Sequence, residues 1–169
     1  MDFLAVARAR YSCRSYRSDV VSDEQLGRVL EAMRLAPTAC NRQPFRAYVI
    51  RTSEHRDALR RCYHQEWLVS APIVIVMVAL LDRAWCHRDG TNLGVVDATI
   101  AFDHLILAAA AEGLGSCWVA AFNAKEIREL LGLSDSARPV AMTPLGYAAD
   151  SPPPKQRVAL EHLVQFGVR

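Results

Sequence analysis

The sequence predicts an α+β domain in which a central mixed or antiparallel sheet is flanked by helices. Segments with helical and with strand periodicity both occur, but they do not alternate in the regular βαβ order of a parallel sheet. The glycines Gly113 and Gly115 follow a predicted helix, whereas the glycine-rich turn of a dinucleotide-binding fold follows a strand. A chain of 169 residues has the length of one domain, so we expect a single domain over 1–169.

The N-terminal half is predicted to contain, in order, helix 2–9, a helix from Ser22 to just before Pro37, loop 37–44, strand 45–50, helix 53–65 and strand 73–78. Ser22 is followed three residues later by Gln25, which is the pattern of a capping box at a helix start. The run 73–78 is apolar throughout and rich in β-branched residues, which indicates a strand buried on both faces.

The C-terminal half is predicted to contain, in order, loop 87–93, helix 93–112, a short strand or extended segment 116–121, helix 124–131, strand 139–147 and an apolar helix near 159–166. Apolar residues nearly encircle helix 93–112, which is typical of a central buried helix, and Gly113 follows it as a C-cap. The tail 150–169 begins with Ser-Pro-Pro-Pro, which favours an extended conformation that could reach a neighbouring subunit.

Charge and hydropathy exclude several classes of partner. The net charge is +2, far from the one-sided basic excess of a nucleic-acid-binding domain. The N-terminus lacks the layout of a signal peptide, because arginines interrupt its short apolar stretch. The longest uninterrupted apolar run, 71–81, is too short to cross a bilayer. We therefore expect a cytoplasmic protein with no nucleic-acid or membrane partner.

The cysteines do not form a recognisable framework. There are 5 of them, scattered along the chain without a CxxC pair, so neither a zinc ribbon nor a thioredoxin-like motif is indicated. Cys86 and His87 could combine with His64 to imitate a metal site once the chain has folded. Free thiols and surface histidines are the favoured interpretation, and no metal is predicted.

Two short cationic segments have the composition of a phosphate site. Arg10, Ser12 and Arg14 alternate, so an extended backbone would place their side chains on one face. Guanidinium groups and a hydroxyl are donors that suit phosphate oxygens. Lys155 and Arg157 alternate in the same way after the proline run, so the two segments could close on one phosphate. The alternative for the first segment is a solvated basic turn.

Two further segments could contact a flat ligand. Loop 37–44 carries hydroxyl and amide groups that can hydrogen-bond the edge of a ring, although it could also be a plain connector. The small residues of 112–122 follow the central helix and allow a close approach of the backbone to a ligand. Trp118 in this segment is either a core residue or a ligand contact.

Taken together and in order, these segments resemble the FMN-dependent nitroreductase family over residues 8–157. The matching motifs are 10–14, 36–45, 97–101 leading into 113–118, 144–147 and 155–157. The resemblance implies a nitroreductase-like fold, an intertwined homodimer with an extended C-terminal tail, and a bound FMN. It also implies that NADH or NADPH reduces the flavin and that a small electron-poor acceptor, a nitroaromatic or a quinone, then oxidises it in a ping-pong reaction.

The resemblance also implies which residues bind the cofactor: Arg10, Tyr11, Ser12, Arg14, Pro37, Thr38, Asn41, Gln43, Gln65, Trp118, Val119, Ala120, Lys155 and Arg157. The arginines, Ser12 and Lys155 would hold the phosphate. Loop 37–43 would reach the same flavin from the other subunit. The backbone of Val119 and Ala120 would approach flavin N5 and O4, where an amide stabilises negative charge.

Two positions depart from the family pattern. His64 stands where asparagine is common, in the region that the resemblance places at the pyrimidine end of the flavin, and Tyr11 stands where a second arginine is common. The segment between Trp67 and Thr91 is short and leaves little room for a helical lid.

No side chain is expected to act as a catalytic acid or base, because the flavin carries the chemistry. Two alternatives keep the same pocket. One is a dehalogenase-like or flavin-cleaving enzyme of the same superfamily, and the other is a non-catalytic flavin-binding module.

Overall fold

The computed structural model describes residues 2–167. The helices are α1 (Phe3–Ala9), α2 (Asp23–Arg34), α3 (Thr52–Cys62), α4 (Glu66–Ser70), α5 (Gly94–Ala111) and α6 (Ala124–Leu131). The strands are β1 (Phe45–Arg51), β2 (Ile73–Leu80), β3 (Gly115–Ser116) and β4 (Ala137–Gly146). Short 3-10 turns cover Ala39–Asn41 and Leu160–His162.

The strands form one sheet in the order β1-β2-β4-β3, and every neighbouring pair is antiparallel. The α+β prediction is confirmed, and the sheet is antiparallel rather than mixed. A β-bulge interrupts the register between β2 and β4 at Met77 and Val78, where the twist of an antiparallel pair usually increases.

Strand β2 separates two hydrophobic cores. Its residues Ile73, Ile75, Met77 and Ala79 pack in one core with α2 and α5, whereas Val74, Val76 and Val78 pack in the other with α3, α4 and α6. This division follows from the two-residue period of a strand, which directs successive side chains to opposite faces. The prediction that this strand is buried on both faces is confirmed.

Local sequence signals account for several helix ends. The Ser22 side chain accepts from the backbone N–H of Gln25 at 3.1 Å and so caps α2. The Gln25 side chain accepts a 2.8 Å hydrogen bond from the Tyr147 hydroxyl, which ties α2 to the residue after β4. After α5, Gly113 has φ +74°, and the amide of Leu114 donates to the Ala109 carbonyl at 2.8 Å. This is the Schellman arrangement, and it confirms the glycine C-cap.

Two predicted helices differ in the structure, whereas the segment 116–121 has the short strand and extended backbone predicted for it. The helix predicted over 53–65 ends at Cys62, and a separate turn of helix, α4, follows it. The segment 116–121 forms the end of β3 and a bridge between Val119 and Met142. The apolar helix predicted near 159–166 is wrong, because only the 3-10 turn Leu160–His162 forms.

The apolar tail residues have no surface to pack on within one chain. Leu160 is 66% exposed and Phe166 is 89% exposed. A helix this short gains its stability from packing rather than from intrinsic propensity, so it does not form without a partner surface. Residues 168–169 of the predicted tail, and Met1 of the predicted domain, lie outside the described residues.

Helix α5 is long and apolar enough to cross a membrane by length and composition alone. The sequence of α5 contains no apolar run of this length, because Asp97 and Asp103 interrupt it. It packs against α2 and the sheet, and Phe102 and Leu105 at its centre are fully buried. A core helix of a soluble domain meets the same criteria, and α5 has the contacts of such a helix.

Candidate functional site

The structure brings the two cationic segments together. A cavity of about 220 Å³ is lined by Arg10, Tyr11, Ser12 and Arg14 on one side and by residues 153–157 on the other. The Lys155 ammonium donates to the backbone carbonyls of Ala7, at 3.1 Å, and Arg10. We call residues 10–14 together with 155–157 the cationic half-site.

The positive charges of the cationic half-site lack acidic partners. Among residues 2–167, the side chains of Arg10, Arg14, Lys155 and Arg157 form no ion pair with an acidic side chain. Desolvation and the nearby charges of Arg10 and Arg157 lower the pKa of Lys155. Like charges held close together without a counter-charge favour the binding of an anion.

The 10–14 segment is held in place by backbone contacts. Ser12 forms a parallel bridge with Ser116 of β3, and the Cys13 amide donates to the Ser116 carbonyl at 3.0 Å. Cys13 is fully buried, whereas Arg14 beside it is exposed. The segment therefore lies along the edge of the sheet, with arginine side chains at the rim of the cavity.

Asp150 provides a further support for this segment. Its carboxylate accepts from the Arg14 backbone N–H at 3.0 Å, from the Tyr11 hydroxyl at 2.7 Å and from the Cys13 thiol at 3.2 Å. The sequence-based site did not include Asp150. Its position could have indicated it, since Asp150 is the acidic residue that precedes Ser151 and the proline run leading to Lys155.

Helix α4 lies beside the cationic half-site. The Trp67 ring is 5.8 Å from the Arg14 guanidinium carbon and makes an edge contact with Tyr63 at 5.5 Å between ring centroids. Gln65, which precedes α4, and His64 are both exposed. Gln65 is therefore accessible to a ligand that extends from the cationic half-site past α4.

The segment after β3 corrects one expectation about backbone donors. The Val119 amide donates to the Met142 carbonyl at 2.9 Å, and Val119 is only 4% exposed, so this amide is not free to contact a ligand. Ala120 is exposed, and its amide donates to no group within residues 2–167. Ala120 is thus the available backbone donor of the pair.

Trp118 contacts the core and is also partly exposed. Its ring makes an edge contact with the buried Phe102, with centroids 4.6 Å apart, yet 36% of the residue is exposed. One part of the ring therefore belongs to the core, and the rest is accessible at the surface.

Loop 37–44 has an unusual backbone. Cys40, Asn41 and Gln43 have φ values of +51°, +53° and +50°, in the left-handed region that non-glycine residues rarely occupy. The Gln43 amide donates to Thr38 Oγ1 at 3.0 Å, and the Gln43 side chain donates to Asn41 Oδ1 at 3.1 Å. Residues held in such conformations cluster at functional sites. We call residues 37–43 the loop half-site.

A buried carboxylate anchors the loop half-site to α5. Asp97, in the first turn of α5, is 2% exposed, and its Oδ1 accepts from the Ala39 amide at 2.9 Å. Its Oδ2 has no hydrogen-bond partner within the described chain. Asp97 lies in the sequence motif 97–101, but that motif does not predict a contact with Ala39, which is 58 positions away.

The two half-sites lie near opposite ends of α5. The loop half-site contacts Asp97 in the first turn, whereas Arg10 and Tyr11 share a second cavity with Ala110 and residues 113–116 at the other end. Asp97 and Ala110 are separated by about 20 Å along the helix axis, at about 1.5 Å per residue. One chain therefore does not bring its predicted flavin contacts into a single pocket.

The region between β2 and α5 has no helix. Residues 81–93 form turns joined by a bridge between Cys86 and Asn92. His87 in this region pairs with Asp89, with Nδ1 and Oδ1 3.1 Å apart. Across residues 2–167, no group of three or more His, Cys, Asp or Glu side chains is arranged to hold a metal ion.

Comparison with known proteins places this geometry in a family. The sequence model of the Nitroreductase family matches residues 7–72 and 58–147. A Thermus thermophilus protein named NADH dehydrogenase is 31% identical, and the match covers 97% of this chain and 95% of that protein. An FMN reductase [NAD(P)H] of Bacillus subtilis is 29% identical over 89% of this chain and 67% of its own length.

The fold agrees with these sequence matches. The crystal structure of a nitroreductase family protein from Clostridium difficile superimposes with a TM-score of 0.92, with 36% identity and coverage of 99% of both chains. The family model and this crystal structure together cover nearly the whole chain. The chain belongs to the nitroreductase family.

Proposed function

We propose that the protein is an FMN-dependent oxidoreductase that passes electrons from NADH or NADPH to a small electron-poor acceptor, such as a nitroaromatic or a quinone. Membership of the nitroreductase family supports a flavin oxidoreductase that uses NAD(P)H. Relatives named NAD(P)H nitroreductase and FMN reductase [NAD(P)H] support the same activity.

We propose further that the active unit is a homodimer with two equivalent flavin sites. The observation that carries this proposal is the separation of the half-sites by about 20 Å along α5. A flavin whose phosphate lies in the cationic half-site of one subunit would meet the loop half-site of the partner. In a two-fold symmetric dimer, the cationic half-site of each subunit would face the loop half-site of the other, so two complete sites would form.

The residues of the cationic half-site fit the phosphate end of FMN. Arg10, Arg14, Lys155 and Arg157 would contribute charge, and Ser12 a hydroxyl donor. These side chains have no acidic partners among the described residues, and the pKa of Lys155 is lowered. A bound phosphate dianion would balance this positive charge.

The remaining contacts would orient the ring system. Ala120 offers a free amide, and Thr38, Asn41 and Gln43 of the partner would offer polar groups. When bound, FMN supplies hydride acceptance and hydride transfer, so the protein contributes position and electrostatics rather than an acid or a base.

We also propose that the protein acts in the cytoplasm on small molecules, without a nucleic-acid or membrane partner. All 5 cysteines are free thiols in the structure. Disulfides are rare in a reducing compartment, so free thiols fit such a location.

The dimer proposal can be tested by subunit complementation. One variant carries Arg10→Ala and Arg14→Ala, and the other carries Thr38→Ala and Asn41→Ala. Each homodimer should lose most of its FMN-dependent oxidation of NADH or NADPH with a quinone acceptor. Equal mixing during refolding should restore about a quarter of wild-type activity, because half of the dimers are mixed and each has one intact site.

The control is a mixture of the Arg10→Ala and Arg14→Ala single variants, whose changes lie in the same half-site. Neither subunit then supplies an intact cationic half-site, so the activity should stay at the average of the two homodimers. If mixed dimers isolated with two different tags show no recovery in the main experiment, the shared site is wrong. A monomer that binds flavin in solution would contradict the proposal in a second way.

The reaction itself is tested by stopped-flow absorbance of the flavin-loaded protein. Rapid bleaching by NADH or NADPH, followed by reoxidation with a quinone, is the expected result. Slow bleaching by both donors with firm flavin binding would instead indicate a non-catalytic flavin-binding module. Cleavage of the flavin under oxygen would indicate the flavin-cleaving alternative.

A further inference from the structure

We propose that Asp150 is a positioning residue for the flavin phosphate, which holds both segments of the cationic half-site in register. The inference rests on the proposed function, because it assumes that the cationic half-site binds the phosphate of FMN. It concerns a residue that contacts the phosphate-binding segment without being one of the predicted ligands itself.

The Asp150 carboxylate gathers three donors from one short segment. Oδ2 accepts from the Arg14 amide at 3.0 Å, and Oδ1 accepts from the Tyr11 hydroxyl at 2.7 Å. The Cys13 thiol lies 3.2 Å from Oδ1 and shares its proton with the Ser15 carbonyl at 3.1 Å. The Tyr11 hydroxyl also lies 3.1 Å from the Asp150 carbonyl oxygen. Both carboxylate oxygens are thereby used to fix residues 11–14.

The choice of partners leaves the cationic side chains available. Asp150 accepts from the backbone N–H of Arg14, and its carboxylate forms no ion pair with the guanidinium of Arg10 or Arg14. The acidic group therefore orders the segment without neutralising the charges that would meet a phosphate. A carboxylate that paired with either guanidinium would compete with the ligand.

The protonation states support this arrangement. Burial alone would raise the pKa of Asp150, but the hydrogen bonds from the Arg14 amide, the Tyr11 hydroxyl and the Cys13 thiol outweigh burial and lower it. Burial and the hydrogen bond to Asp150 raise the pKa of Tyr11, so the phenol remains a donor at neutral pH. Asp150 thus acts as an ionised acceptor.

Asp150 is also the start of the second cationic segment. Ser151 and the three prolines 152–154 separate it from Lys155, and the prolines restrict the backbone between them. Lys155 is fixed at the far end by the carbonyls of Ala7 and Arg10. The tail is therefore attached to the N-terminal segment at both ends of the proline run, and Asp150 is the attachment nearer the sheet.

The test compares the binding of FMN and riboflavin, which share the ring system and differ in the phosphate. Titrations followed by flavin fluorescence would give Kd values for wild type and Asp150→Asn, with Asp135→Asn at an exposed position as the matched control. Asp150→Asn should weaken FMN binding about tenfold and leave riboflavin binding within about twofold. Asp135→Asn should leave both Kd values unchanged.

Each outcome has a distinct meaning. Equal losses for FMN and riboflavin would show a general structural role and overturn the positioning role. Unchanged FMN binding in Asp150→Asn, when wild type prefers FMN, would overturn only the inference about Asp150. A wild type that does not prefer FMN over riboflavin would instead contradict the phosphate site of the proposed function.

A second variant keeps the test decisive if Asp150→Asn does not fold. Tyr11→Phe removes one of the three donors to the carboxylate and retains the aromatic ring. It should weaken FMN binding less than Asp150→Asn does, and it should leave riboflavin binding unchanged. Equal affinity of Tyr11→Phe and wild type for FMN would count against a role for the Asp150 contacts.

Discussion

The two half-sites at the ends of α5 differ in what holds them and in what they offer a ligand. The cationic half-site presents charged side chains on a segment fixed by the sheet edge and Asp150. The loop half-site presents polar side chains on a backbone with three left-handed, non-glycine residues. The first therefore has positive charges without acidic partners among the described residues, and the second has polar side chains on a strained backbone.

If the two half-sites form one cofactor site as proposed, this difference predicts that they contribute to binding in different ways. Charge provides affinity for one end of the ligand, whereas fixed polar groups provide orientation at the other end. The two contributions should therefore respond differently to mutation and to pH.

The largest effect is expected for Arg14→Ala in the cationic half-site. Loss of a charge-assisted contact should weaken FMN binding by roughly 10- to 100-fold, corresponding to about 1.5–3 kcal/mol. Riboflavin binding should change little, as measured by fluorescence titration of both ligands.

The control for this prediction is Arg34→Ala, since Arg34 pairs with Glu31 on the exposed surface of α2. It should leave the affinity for both flavins unchanged. A loss of riboflavin affinity as large as the loss for FMN would show that Arg14 does not act through the phosphate.

A smaller effect is expected in the loop half-site, where a substitution should increase the stability of the fold. Cys40 is exposed and has φ +51°, so Cys40→Gly should relieve backbone strain. Its free energy of unfolding should exceed that of Cys40→Ala by about 1 kcal/mol, because alanine retains the left-handed cost. Urea denaturation of the two variants measures this difference.

The comparison of glycine with alanine isolates the backbone, since both variants lack the thiol. Flavin binding should be weaker in Cys40→Gly than in Cys40→Ala, because a relaxed loop no longer orients Asn41 and Gln43. If Cys40→Gly binds FMN as tightly as Cys40→Ala does, the strain has no functional role, and if it is no more stable, the left-handed residue carries no strain.

The smallest effect is a pH dependence that originates at Asp150. Its pKa in the folded protein is lowered, so its ionised form stabilises the fold above the unfolded-state pKa, and this contribution is lost as pH falls through the folded value. The difference in unfolding free energy between wild type and Asp150→Asn should be constant above about pH 5 and shrink below about pH 4. Urea titrations from pH 7 to pH 3 measure it.

Tyr11→Phe sharpens this measurement, because it removes one donor that lowers the pKa of Asp150. The difference in unfolding free energy between Tyr11→Phe and Asp150→Asn should therefore change less with pH than the difference between wild type and Asp150→Asn. If the difference in unfolding free energy between wild type and Asp150→Asn stays unchanged down to pH 3, the pH dependence does not originate at Asp150.

The long elements of the fold were predictable because their signals are long. Strand β2 is apolar along its whole length, and α5 is apolar on nearly every side, so both are recognisable without tertiary information. Helix α4 was not predicted, since a five-residue helix is set by the burial of Leu68 and Val69 rather than by propensity. The tail helix failed for the converse reason, because its apolar residues have no partner surface in one chain.

The candidate site was predictable as a set of motifs but not as an assembly. The order of motifs indicates Arg10, Arg14, Lys155 and Arg157 as a group, and the structure places all four around one cavity. The contact of Asp150 with Arg14 joins residues 136 positions apart, which no local pattern encodes. The engagement of the Val119 amide by Met142 likewise depends on where β4 runs.

The rigid path of α5 between the half-sites has a consequence for how such a chain can change over generations. Inserting one residue between Asp97 and Ala110 would displace everything beyond it by about 1.5 Å and turn it by about 100°. Loop 81–93 is joined to both neighbours, because Arg42 of the loop half-site donates to the Ala84 carbonyl at 2.9 Å and Asn92 accepts from the Gly94 amide at the start of α5. Its exposed tip around residues 88–90 lies between these contacts and could change length while keeping them. Tolerance to insertion and deletion should therefore be higher at the tip of that loop than within α5, so we expect the residue count of this helix to be constrained.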